Sequence, residues 1–268
     1  MMGLRYRRRL RYLTGRAQMI PHQITRVLFV AALVVATAPY VLAERLDQTQ
    51  AEGLEARVRT ELVTERAFRA VTVVVDGDVA TLNGIVGSIG VKEDLIATVL
   101  EVDGVGSILS NIEIFEAESD AKLGEQIAAF IRRYEYHSVF DNININVENG
   151  VVVVSGEVTE PFKKEGIEKA VSYVGGVRLV ENRIEVLPVS GTDDRIREDI
   201  ALRIYNDPLF SKYQEGNRPP IHIVVKRGRV RLTGVVLSPV ERAFAGTIAR
   251  QVFGVRSFRN ELKVESER

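Results

Sequence analysis

The chain contains no cysteine. That absence excludes a disulfide framework, a thiolate metal site and a catalytic thiol. It also excludes a lipoprotein anchored through an N-terminal cysteine. Histidine is nearly as scarce, with only His22, His137 and His222. None has a metal-ligand partner at i+2 or i+4, so each reads as a solvated or hydrogen-bonded structural residue. Net charge is missing too, because 36 Lys and Arg balance 36 Asp and Glu. Gly84, Gly87 and Gly90 lack the spacing and the Lys-Ser/Thr ending of a nucleotide loop and read as a strand-to-helix turn. No catalytic residue, metal or cofactor is expected, and no nucleic-acid partner.

What the chain does have is a pattern that occurs three times. Gly84, Gly156 and Gly234 each end a valine-rich run, and twenty residues after each stands Gly104, Gly176 or Gly254, followed by valine. A fixed internal period is the signature of a repeated unit. The register extends to Val71, Val73 and Val75 in the first copy, Ile143, Ile145 and Val147 in the second, and Ile221, Ile223 and Val225 in the third. Alternation of this kind puts one side of a strand on a core. Asn149-Gly150 and Arg227-Gly228 read as tight hairpin turns. Asp76-Gly77-Asp78 places its glycine one residue early and predicts a different turn in the first copy.

Apolar residues at helical spacing flank the strands. Leu54, Val58 and Leu62 form one stripe, Leu123, Ile127 and Ile131 another, and Ile196, Ile200 and Ile204 a third. A second helix fills the space between the paired glycines. Its stripe is Val91, Leu95 and Val99, then Ile167, Val171 and Val174, then Val240, Phe244 and Ile248. Gly104, Gly176 and Gly254 are expected to end that helix as left-handed caps. The chain therefore reads as α+β, built of three tandem αββαβ modules over 54–116, 120–187 and 192–265. Each is a small three-stranded mixed sheet with two helices on one face. The other face is expected to be open or to pack on a neighbouring module. Glu116 to Lys122 and Pro188 to Thr192 are short linkers that limit relative freedom.

The runs Gly150-Val-Val-Val-Val-Ser-Gly156 and Gly176-Val-Arg-Leu-Val-Glu-Asn182, with their counterparts Gly228 to Gly234 and Gly254 to Asn260, resemble the BON domain family. The first copy departs twice, with Asp78 for the first glycine and Ser110 for the late asparagine. The resemblance implies a non-enzymatic protein of the bacterial envelope that binds phospholipid and supports envelope integrity under osmotic stress.

Residues 1–43 read as a leader. Seven arginines precede any acidic residue, an apolar run covers Val27 to Ala38, and Val41-Leu42-Ala43 suits a cleavage point. Export to the periplasm with cleavage after Ala43 is expected. The rival reading is an uncleaved inner-membrane anchor, since about 17 residues approach the length that spans a bilayer. Met19 is an alternative start.

Charge distinguishes the copies. The third is basic, with Lys226, Arg227, Arg229 and Arg231 around one hairpin turn. The loop before its first strand, Asn206 to Pro220, brings Phe210, Lys212, Tyr213 and Arg218. Aromatic and basic residues together suit an anionic lipid surface. Phe210 is alternatively a core plug, and the basic face alternatively only solvated. A second function class is a structural interaction module, in which the basic third copy meets the acidic first copy of another chain or an envelope protein partner.

Overall fold

The alternating valines and isoleucines form strands, and the stripes form helices, in a computed structural model that describes residues 50–213 and 220–265. The leader over 1–43 and Arg218 lie outside the described residues. Module 1 comprises α1 (described from 50 to 64), β1 (Val71–Asp76), β2 (Val79–Val86), α2 (Ile89–Leu100) and β3 (Ser107–Ile114). Module 2 comprises α3 (Asp120–Arg133), β4 (Asn142–Glu148), β5 (Val151–Val158), α4 (Pro161–Ser172) and β6 (Leu179–Val186). Module 3 comprises α5 (Gly191–Tyr205), a 3-10 turn (Pro208–Tyr213), β7 (Ile221–Lys226), β8 (Arg229–Val236), α6 (Pro239–Arg250), β9 (Ser257–Asn260) and β10 (Lys263–Val264).

In each module the first two strands pair antiparallel and the third pairs parallel to the second, which makes the sheet mixed. Both helices cover one face. Leu54, Val58, Leu95 and Val99 share a core with Val73, Ala80 and Leu82 in module 1, and modules 2 and 3 repeat the arrangement. The third strand of module 3 is interrupted at Glu261-Leu262, where the Leu262 N–H turns to the side chain of Asn260, and it resumes as β10.

Gly84, Gly156 and Gly234 have φ of 139°, 115° and 112°. A Cβ there would stand 2.2, 2.0 and 1.9 Å from the carbonyl oxygens of Ala70, Asn142 and Pro220. Only glycine permits that approach. Gly104, Gly176 and Gly254 also have positive φ but do not cap the helices. The C-cap residues are Glu101, Tyr173 and Gln251, all right-handed, and the glycine reverses the chain three residues later. The Asn149-Gly150 and Arg227-Gly228 turns have positive φ at both central residues, as a type I′ hairpin requires, whereas the first copy has it at Gly77.

The late asparagine of the repeat holds the third strand to the second helix. Asn182 donates to the Lys164 carbonyl at 2.9 Å, and Asn260 to the Arg242 carbonyl at 2.7 Å. Module 1 lacks that asparagine and reverses the bond, with Lys92 Nζ donating to the Ile112 carbonyl at 2.8 Å.

One helix corrects its sequence-based stripe. On α6, Val240 and Phe244 are exposed, and Glu241, Ala245 and Ala249 face the core instead. Glu241 enters a buried position because Lys212, Tyr213 and the Leu237 N–H all bond its carboxylate.

The modules meet through two different joints. Between modules 1 and 2, the Ile89 N–H donates to the Val177 carbonyl and the Gly176 N–H to the Gly87 carbonyl, both at 2.8 Å. Between modules 2 and 3, the α3–β4 loop runs along the free edge of β7 and sets His137 against His222. There the Ile223 N–H donates to the Val139 carbonyl at 2.7 Å, and Thr233 donates to Asn142 Oδ1 at 3.0 Å. Phe140 packs on the module 3 core.

Candidate functional site

The turn between β7 and β8 is built on the start of α5. Ser190 caps that helix by accepting from the Asp193 N–H. Asp193 in turn accepts from the N–H groups of Arg227 and Gly228 at 2.7 and 2.8 Å. Module 2 uses Asp120 on Asn149 and Gly150 in the same way. The hairpin is thus fixed from below, and its tip side chains point outward.

Arg227 and Arg229 are exposed there. Arg227 has φ of 53°, a left-handed conformation that suits the asparagine of the second copy far better than arginine. The α6–β9 turn lies alongside. The Arg256 N–H donates to the Gly228 carbonyl at 2.8 Å, and the Arg256 side chain fills the space beside Gly228. The carbonyl of Gly254 lies against the same glycine. Phe253, immediately before it, is 96% exposed. Among the described residues, none of Arg227, Arg229 and Arg256 forms an ion pair with a carboxylate. The tip therefore presents three guanidinium groups that form no ion pair among the described residues, and one exposed aromatic ring.

The other residues of the sequence-based site are placed differently. Phe210 is fully buried in the module 3 core, stacked on Phe244, and so corrects its assignment to a membrane interface. Lys212 and Tyr213 are tied to Glu241. Burial first, and then the hydrogen bond to Glu241, push the Tyr213 hydroxyl up to about 12. Burial alone would raise the Glu241 carboxyl, but the bonds from Lys212, Tyr213 and the Leu237 N–H outweigh it and hold the group below its ordinary range. Lys226 pairs with Glu185 of module 2, and Arg231 pairs with Glu157 of module 2 and with Glu261. Of the seven of these residues that are described, only Arg227 and Arg229 stand free at the tip. Sequence reasoning missed Phe253 and Arg256 as a unit with them. The signal was available, since the first two copies carry Asp103 and Gly175 where the third carries Phe253.

Among the described residues, no group of three or more His, Asp or Glu is placed to hold a metal ion. No helix among them is long and apolar enough to cross a membrane.

The BON domain profile matches the chain three times, over residues 50–114, 119–188 and 192–266. The chain belongs to the BON domain family. Its three BON modules coincide with the three αββαβ units described above. Among solved structures, the C-terminal domain of CdsD, a structural protein of the type III secretion system of Chlamydia trachomatis, is similar at 14% identity. The match covers 77% of this chain and 94% of that one, with a TM-score of 0.22. A second structure of CdsD is similar at 15% identity, covering 78% and 92%, with a TM-score of 0.22. No curated protein sequence matches significantly.

Proposed function

We propose that this BON protein is a non-enzymatic component of the bacterial envelope that contacts an anionic phospholipid surface with the tip of module 3. The leader over 1–43 exports it to the periplasm or retains it at the inner membrane. The observation that carries the reading is Phe253, 96% exposed in the turn whose Gly254 and Arg256 pack against the Arg227-Gly228 hairpin. A ring that enters the headgroup region and cations that meet lipid phosphates form a two-part interfacial anchor. Each cation near such a surface contributes about 1 kcal/mol at most, so binding is reversible and salt-sensitive.

The alternative reading, head-to-tail assembly, draws on the same basic copy. Lys226 and Arg231 are already paired with module 2 of their own chain, which favours the lipid reading. Flotation of the full chain with phosphatidylglycerol vesicles tests it. Binding is expected at low salt, and loss is expected at high salt, in the triple variant R227E/R229E/R256E and, more weakly, in Phe253→Ser. Unchanged flotation of the triple variant would sink the proposal.

A further inference from the structure

The joint between modules 2 and 3 encloses a cleft of about 550 Å³, a size typical of small-molecule sites. One wall is the outer face of the module 3 sheet, with His222 on β7, Arg231 on β8 and Lys263 on β10. The other is module 2, with Arg132 in the last turn of α3 and Asn144 on the outer face of β4. Arg231 is engaged by Glu157 and Glu261. Arg132 and Lys263 have no carboxylate partner among the described residues, and both are exposed. With Glu261 engaged by Arg231, these two unpaired cations give the partly walled space a net positive lining that attracts an anion.

His222 completes the wall of module 3, held there by its burial and by the Asp141 and Ser138 backbone beside its ring. The space exceeds what a bare inorganic anion fills. Ile131, Val235 and Pro220 complete the lining with apolar surface that suits an organic body.

We infer that this cleft binds a small phosphate monoester, with Arg132 and Lys263 compensating its charge and the Asn144 amide donating to its oxygens. A phosphate monoester carries up to two negative charges and three acceptor oxygens, which matches two cations and a neutral donor. Arg132, Asn144 and Lys263 are not part of the Arg227 tip, and the site does not depend on it.

Isothermal titration of the full chain with glycerol 3-phosphate tests this, alongside phosphatidylglycerol vesicles. Saturable binding of glycerol 3-phosphate is expected, weakened at least tenfold by Lys263→Ala and by Arg132→Ala, and unchanged in R227E/R229E/R256E. Absence of saturable glycerol 3-phosphate binding, with or without binding of the vesicles (whose phosphate is a diester), or equal binding by the wild type and both alanine variants, overturns it. A tip variant that stops floating yet still binds glycerol 3-phosphate separates failure at the membrane from success in the cleft.

Discussion

Lys163 Nζ stands 2.8 Å from Oδ2 of Asp141, and both side chains are buried. The carboxylate also accepts from the Thr159 and Ser138 N–H groups at 3.0 and 2.8 Å. Burial alone would raise the Asp141 carboxyl, but Lys163 and these backbone donors prevail and hold it below its ordinary value. Asp141 belongs to the loop that makes the joint with module 3. Removing one partner leaves a buried charge unpaired, at about 3–5 kcal/mol. Lys163→Met is therefore expected to lose that much in urea denaturation and to expose the loop to protease. The double change K163M/D141N should recover part of the loss.

Arg227 occupies a left-handed position in a type I′ turn. Arg227→Asn relieves that conformation and should stabilise the chain by about 1 kcal/mol. The same change removes a tip cation. Thermal unfolding should therefore move up while vesicle flotation moves down, and a change that raised both would contradict the role assigned to Arg227.

Gly156→Ala and Gly234→Ala force a Cβ to within about 2 Å of a backbone carbonyl at an unfavourable φ. Each is expected to cost at least about 3 kcal/mol. Gly191→Ala, where nothing stands within 4 Å, serves as the control and should change stability little. Chemical denaturation of the three variants gives the comparison.

His222 packs edge-to-face on His137, with ring centroids 5.4 Å apart, and also faces Asp141 and Arg231. Burial lowers its pKa below 6.5, and the nearby Asp141 only partly offsets this. The folded state therefore disfavours the proton, and the unfolded chain binds it more readily. The contribution of neutral His222 is fully present above pH 6.5 and is lost as pH falls through the lowered folded value. Stability measured from pH 8 to pH 5 should show a decline that His222→Gln flattens.

Much of this fold was legible because a threefold repeat prints the same constraint three times. The alternating valines and five of the six helix stripes mark positions that face the core, and the paired glycines mark positions of positive φ. The sixth failed at Glu241, since no periodicity reveals a carboxylate buried by Lys212 and Tyr213 from a distant turn. Phe210 left two readings open, interfacial ring and core plug, because a ring in a loop follows no periodicity, and its burial decides for the plug. The joints were illegible because their pairs, such as Arg231 with Glu157, lie 74 residues apart and follow no repeat. Arg227 and Arg229 could be read from the sequence. Phe253 is legible as a departure from Asp103 and Gly175 of the other copies, but its link to the hairpin lies in the packing of Gly254 against Gly228, which no sequence spacing reveals.

The joint between modules 1 and 2 carries an instruction about gene order. At Gly90 the α2 backbone lies so close to Ser172 that a Cβ would fall 2.7 Å from its hydroxyl. The corresponding positions in the other copies are Phe162 and Val240. Pro161 and Pro239 stand where Ile89 donates its N–H to Val177, and proline has none to give. Only the first module can dock this way. Three units that arose as copies have become non-interchangeable parts, and a gene with its modules permuted would encode three folded domains without that seam.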